Sequence, residues 1–352
     1  MKAALFYGGK DIRVEQVPDP IPGPGEVLIQ IKAAGICGSD LHGYREKLDP
    51  PRYPYPHTDG HELAGVVVGL GAGVSRLRLG DQVAVEPLHL IGCGACRFCR
   101  EGRYEACLTR GMVNGVRRHS AGFAEFDVAP EGNCYVLPSD LSIEAGSIVD
   151  VYACAVHALH LVPPKPYHTV VVIGPGPIGI ACAEAYRAAG AKRVVLCGRR
   201  KAVLHHLKTF AADEVIDITR TDPVQAVRDL TDGLGADVVI EAVGGDSAPT
   251  VEQALRLVAP TGIVGVLGVS RKPQLINVWE AFRRQAQIVW INSYSRWNGV
   301  PEFQITLDMM VAGRFHPLEM ITHRFPLDSI REGFAAADDK GRSGALKVLV
   351  NP

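Results

Sequence analysis

Apolar and polar residues alternate with period two in the first part of the chain, in Glu26-Val-Leu-Ile-Gln-Ile-Lys, Leu63-Ala-Gly-Val-Val-Val-Gly and Gln82-Val-Ala-Val-Glu. Such alternation puts every second side chain on one face of a strand. Short strands closely spaced by glycine and proline predict a mostly β domain of barrel or sandwich type. Around Ser142 to Leu161 the pattern turns helical, until Pro163 and Pro164 interrupt it. From Thr169 strand-like runs at 170–173, 194–197, 214–218, 237–241 and 263–267 alternate with helical stretches ending near 189 and 205 and spanning 223–231 and 250–257. That alternation predicts a doubly wound parallel α/β sheet. After about Ile291 it lapses into a helix over 301–312 and a mixed tail. A chain of 352 residues is long enough for two domains, each with its own core.

The first strand-to-helix loop of the second region reads Gly174-Pro-Gly-Pro-Ile-Gly179. Gly174 permits a tight turn, Gly176 lets the backbone approach a pyrophosphate, and Gly179 allows close helix-to-strand packing, with Pro177 and Ile178 opening the helix. Glycine-rich turns are common, but here the pattern follows a strand and opens a helix, the context that dinucleotide binding requires. The second strand should end in a carboxylate for the adenosine ribose; this chain has Gly198-Arg199-Arg200 instead. Losing the carboxylate removes repulsion against a 2′-phosphate, and the arginines can pair with one, which favours NADP over NAD. The alternative is that both arginines are solvated residues of the next helix, and NAD remains a candidate.

Four cysteines, Cys93, Cys96, Cys99 and Cys107, fall within fifteen residues, with Gly92, Gly94 and Gly102 among them. Four thiolates on short turns are the ligand set of a closed, structural zinc site. Disulfides or redox-active pairs are the competing reading. Nine cysteines in a long chain whose amino terminus shows no apolar signal-peptide core point instead to a reducing cytoplasm. The 37 basic and 38 acidic residues form no long like-charge block. Nothing suggests a nucleic-acid surface or a membrane-binding face, and the apolar runs are strand-sized.

A second constellation lies upstream. Cys37, Ser39, Asp40 and His42 fall in one short stretch, and Asp59-Gly60-His61-Glu62 comes after it. A mixed sulfur, nitrogen and oxygen set suits a catalytic zinc with one position open. Each residue alone reads equally well as core or surface. Adjacent His61 and Glu62 would also project to opposite sides of a regular strand, so both can bind only if Gly60 breaks the regularity.

Cys37-Gly-Ser-Asp-Leu-His42, Gly60-His-Glu62, the four-cysteine cluster, Gly122-Phe-Ala-Glu125 and the glycine loop, in this order, make nearly the whole chain similar to the zinc-dependent medium-chain dehydrogenase/reductase (alcohol dehydrogenase) family. The polyol (sorbitol-like) and threonine dehydrogenase branches look closest. The resemblance implies a discontinuous GroES-like catalytic domain at 1–151 and 293–352 and a Rossmann domain at 152–292, with the site between them. It implies two zinc ions, one held by the four cysteines and one catalytic. For the catalytic ion Cys37, His61 and Glu62 match ligands, and Asp150 falls at the fourth position, binding directly or through water. Val151 replaces the usual proline, and Cys154 competes as a thiolate. Ser39 and His42 match a proton relay, and Asp40 the carboxylate that orients His61. Implied too are a nicotinamide cofactor, a small alcohol or ketone substrate, and a homodimer or homotetramer joined at the edge strand Ile288 to Ile291. A polyol, sugar or cyclitol is the expected substrate class, with an amino-alcohol such as threonine second; Tyr44, Tyr53 and Trp297 are pocket candidates or simple packing. A noncatalytic dinucleotide-binding protein of the same fold is the reading from another class.

Overall fold

The computed structural model describes residues 1–47, 53–113, 116–245, 249–270, 273 and 275–352. The chain divides into two compact units. One comprises residues 1–150, 295–311 and 316–352, and the other residues 151–294 with 312–315.

The first unit is built on a mostly antiparallel sheet. In spatial order its main path runs Ile321–Pro326, Lys347–Asn351, Glu26–Gly35, Glu62–Leu70, Gln82–Val85 and Cys134–Val136, and Phe126–Pro130 also pairs with Glu26–Gly35. Alternate residues Val27, Ile29 and Ile31 of the central strand point inward, onto a core with Phe6, Phe123 and Phe334. The end of that strand brings the two ends of the chain together. Gly35 pairs with Glu62 on one side and with Leu349 of the C-terminal strand on the other. A Cβ at Gly35 would lie 2.1 Å from a Glu62 carboxylate oxygen, so any larger residue there would push the Glu62 side chain out of place. The last strand of the chain therefore belongs beside residues from its first fifth.

The helical pattern over 142–161 proves to be two helices, Ile143–Ser147 and Val149–Leu161, broken at Ile148. The first is capped by Ser142, whose hydroxyl accepts from the Ala145 amide.

The second unit carries a six-stranded parallel sheet in the spatial order Glu214–Asp217, Arg193–Gly198, Thr169–Ile173, Ala236–Glu241, Val258–Val266, Gln287–Trp290. In chain order this is third, second, first, fourth, fifth, sixth, the doubly wound arrangement whose switch point lies between the first and fourth strands. Central strands such as Thr169–Ile173 are buried at every residue, as a parallel sheet covered on both faces requires. The fifth strand begins five residues before its expected start at Ile263, because a register shift between Ala236 and Val238 lets Val258 pair ahead of Thr261, whose φ is +62°. Among the described residues no helix is long and apolar enough to cross a membrane.

Candidate metal centres and dinucleotide loop

Cys93, Cys96, Cys99 and Cys107 bring their sulfur atoms within 4.8 Å of one another. Zinc–sulfur bonds of about 2.3 Å in a tetrahedron place sulfurs about 3.8 Å apart, and the Cys93 and Cys99 sulfurs are 4.0 Å apart. Amides point at them: Cys96 N donates to the Cys93 sulfur at 3.3 Å, and Cys99 N to that of Cys96 at 3.5 Å. Those of Ala95 and Cys96 pull the Cys93 thiol down to about 6, while burial pushes its neighbour Cys99 up to about 12. Thiols this close cannot all ionise unless a cation joins them, so the donor set fits a metal. Gly92 is obligatory, since a Cβ there would sit 2.6 Å from the Cys99 sulfur.

The lobe is tied down by polar contacts. Arg296 N donates to the Gly102 carbonyl at 3.0 Å. The Tyr104 hydroxyl donates to Glu86 at 2.6 Å, and Tyr135 reaches the other carboxylate oxygen at 2.9 Å. Burial pushes the Glu86 carboxyl up, and the two hydroxyls oppose it.

In the upstream constellation, Cys37, His61 and Glu62 offer ligand atoms within 4.8 Å of one another. Gly60 supplies the irregularity that adjacent ligands demand. Its φ is +102°, a Cβ there would lie 2.8 Å from the Phe123 amide nitrogen, and the regular strand starts only at Glu62. Cys37 caps the helix Gly38–Arg45, and Asp40 reaches back to accept from the Cys37 amide at 2.8 Å. The other Asp40 oxygen lies 3.4 Å from His61 Nδ1, the carboxylate–imidazole contact that fixes a ring's orientation. Burial alone would lower the His61 pKa; Asp40 and the Cys37 sulfur beside it outweigh this and hold it well above its ordinary value. A site with that much negative charge suits a dication.

Ser39 and His42 stand three residues apart on the same short helix, hence on one face, and both are half-buried. Asp150 lies at the start of the helix Val149–Leu161, half-buried, outside the Cys37, His61 and Glu62 set; Asp59 instead joins Asp40 and His61 in a second group. Tyr44 packs on Phe334 at 5.2 Å between ring centres, and Tyr53 stacks on His119 at 4.2 Å. Trp297 is half-buried in the two-residue strand Arg296–Trp297.

Two residues went unread in the sequence. Lys347 donates to both Glu62 oxygens, at 2.8 and 2.7 Å, and to the Ile36 carbonyl at 3.2 Å. Its only signal was a lone cation in the apolar run Lys347-Val-Leu-Val. His89 sets its ring edge-on to His61, 5.5 Å between centres, and carries no motif.

In the dinucleotide loop each glycine has a distinct reason. Gly174 has φ +107°, and a Cβ at Gly179 would lie 1.9 Å from the Gly174 carbonyl oxygen. Nothing lies within 4 Å of the Cβ direction at Gly176, which caps the helix Pro177–Ala188 and leaves room for a ligand; Pro177 and Ile178 come next, half-buried. Arg199 and Arg200 differ. Arg200 donates to the Pro175 carbonyl at 3.0 Å, bracing the loop, and burial lowers its pKa. Arg199 is exposed. Gly198 has a packing reason of its own, because a Cβ there would meet the Pro175 ring at 2.4 Å.

Comparison with known proteins places these features. The family model "Alcohol dehydrogenase GroES-like domain" matches residues 23–139, and "Zinc-binding dehydrogenase" matches residues 177–311. Sorbitol dehydrogenase of Bombyx mori is 33% identical over 99% of this chain and 98% of its own. Among solved structures, a putative zinc-binding dehydrogenase from Sinorhizobium meliloti 1021 bound to NADP is similar at 30% identity and a TM-score of 0.85, covering 100% of this chain and 99% of that one. An alcohol dehydrogenase of Escherichia coli CFT073 solved with NADH is similar at 26% identity and a TM-score of 0.87, with the same coverage.

Proposed function

The chain belongs to the zinc-dependent medium-chain alcohol dehydrogenase superfamily, and from that premise we propose that it interconverts a secondary alcohol on a polyol, sugar or cyclitol with its ketone, preferring NADP. The observation that carries the reading is the convergence of Cys37, His61 and Glu62, with Ser39 and His42 on the helix that Cys37 caps. Cys37 and His61 would hold a catalytic zinc, with Glu62 or Asp150 completing the set, and the four cysteines a structural one. When bound, zinc would supply Lewis-acid stabilisation of negative charge on the substrate oxygen, and a nicotinamide would supply the hydride acceptor.

The chain's own residues do the rest. Ser39 takes the substrate hydroxyl proton through its hydroxyl, and His42, one turn on, passes it toward solvent, a role suited to an imidazole. Asp40 keeps the His61 ring oriented. In the cofactor loop Gly176 leaves the space and Arg200 the bracing for a pyrophosphate, while Arg199 carries the charge that a 2′-phosphate would meet.

Self-association is part of the proposal. Among the described residues Gln287–Trp290 is the edge of its sheet, with one neighbouring strand, and Trp290 is 63% exposed. Pairing with a second copy covers such an edge, and a lower mass for Trp290→Lys in size-exclusion light scattering tests it.

The substrate is tested by screening polyols, diols and threonine with both nucleotides, on the wild type and Ser39→Ala. The expected result is turnover of a polyol or diol, fastest with NADP, and a loss in Ser39→Ala of roughly a hundredfold or more. Threonine as the best substrate would contradict the substrate class, and no turnover with any alcohol would contradict catalysis itself.

A further inference from the structure

Four arginines outside the zinc and dinucleotide motifs converge on one cavity of the second unit. Each lies in the last turn of a helix: Arg228 in Pro223–Leu230, Arg256 in Thr250–Leu257, Arg283 and Arg284 in Val278–Arg284. A cation there complements the negative end of the helix dipole. That accounts for an arginine on each helix, but not for three helices directing theirs to one place. With Asp222 and Glu280 they line a cavity of about 280 Å³, and an adjoining one of about 260 Å³ shares Arg228, Arg283 and Arg284.

The charges do not cancel. Glu280 lies 3.4 Å from Arg283 and 3.3 Å from Arg284. Arg284, whose side chain is only 11% exposed, also donates to the Val258 carbonyl at 2.9 Å and is thereby fixed in place. Asp222 is turned to its own helix, accepting from the Val224 amide at 3.1 Å. The side chains of Arg228 and Arg256, both exposed, make no hydrogen bond or ion pair among the described residues. Four guanidiniums against two carboxylates leave an excess of two positive charges. These helices run back from the carboxyl ends of the strands, so their last turns lie at the opposite end of the sheet from the Gly174–Gly179 loop.

We propose that this cavity binds a phosphoryl anion, either inorganic phosphate or a small phosphate ester. Guanidiniums arriving from three helices match the several oxygens of a phosphoryl group better than the two of a carboxylate. A volume of about 280 Å³ has room for a phosphate or a small phosphate ester.

Calorimetric titration tests it. Inorganic phosphate and methyl phosphate are titrated separately into the zinc-loaded enzyme saturated with NADP, in phosphate-free buffer of low salt. The expected result is one saturable equivalent per chain, weakened by roughly tenfold or more in Arg228→Gln/Arg256→Gln. The lysine pair should recover part of the affinity. Tighter binding of methyl phosphate assigns the site to an ester, and binding of phosphate alone assigns it to the free anion. No saturable binding, or binding undiminished in the double glutamine variant at an unchanged melting temperature, would overturn the proposal.

Discussion

Lys347 and Glu62 form an ion pair cut off from solvent, with Nζ 2.7 Å from the nearer carboxylate oxygen and side-chain exposures of 2% and 1%. Burial would strip Lys347 of its proton, but Glu62 and Cys37 hold its pKa above the ordinary value. The pair anchors the C-terminal strand to the His61–Glu62 segment and sets where the Glu62 carboxylate points. Lys347→Met leaves a buried carboxylate alone and should cost about 3–5 kcal/mol of stability. Adding Glu62→Gln should restore much of that loss in urea unfolding. Additive losses in the double variant would mean that the two residues do not act as a pair.

Arg199 and Arg200 should separate cleanly in kinetics. Arg199→Ala should raise KM for NADP by roughly ten- to a hundredfold, the worth of a charge-assisted contact, and leave KM for NAD nearly unchanged. Arg200→Ala removes the brace on the Pro175 carbonyl and should weaken both nucleotides alike. A side chain at Gly198 collides with Pro175, so a carboxylate introduced there should impair both nucleotides instead of switching preference.

Tyr104 links the four-cysteine lobe to a buried carboxylate. Tyr104→Phe deletes the 2.6 Å donor to Glu86 and should lower stability by about 1–3 kcal/mol. Its activity below the melting transition should stay near that of the wild type. An unchanged melting temperature would show that this contact does not hold the lobe.

Asp127 gives a pH dependence of known direction. It accepts from the Ala121 and Val128 amides at 2.9 and 2.8 Å, yet burial pushes its carboxyl from 3.8 up to about 6. Its contribution to stability is complete below 3.8, where both states carry the proton, and is lost as pH rises through about 6. The loss amounts to about 3 kcal/mol at most. In Asp127→Asn that part of the decline should vanish from unfolding curves between pH 4 and 7. An unchanged slope would contradict the assignment.

How legible each part was depended on the range of the interactions behind it. The glycine loop, the four cysteines and the Cys37–His42 helix are local, and their geometry comes from spacing and turn chemistry alone. The parallel strands were legible because their apolar runs are continuous. The break at Ile148 and the early start at Val258 were not, since a helix kink and a register shift depend on packing. Nor was Lys347, which meets Glu62 across 285 positions and only because Gly35 pairs with strands from both ends of the chain. Gly198 carries two reasons at once: the missing carboxylate reads as a cofactor preference, and the Pro175 ring, invisible in the sequence, independently demands glycine.

The proposed division of labour between two metal centres is tested most directly by zinc content measured together with activity. Wild type should hold two zinc ions per chain, and brief chelation should remove the one at Cys37 and His61 together with all activity, leaving the fold intact. Cys37→Ala should keep one zinc and be folded and inactive, whereas Cys93→Ser should lose stability first and activity only as a consequence. An enzyme that stays fully active with one zinc after chelation, or a Cys37→Ala variant that keeps two, would contradict a catalytic zinc at Cys37 and His61.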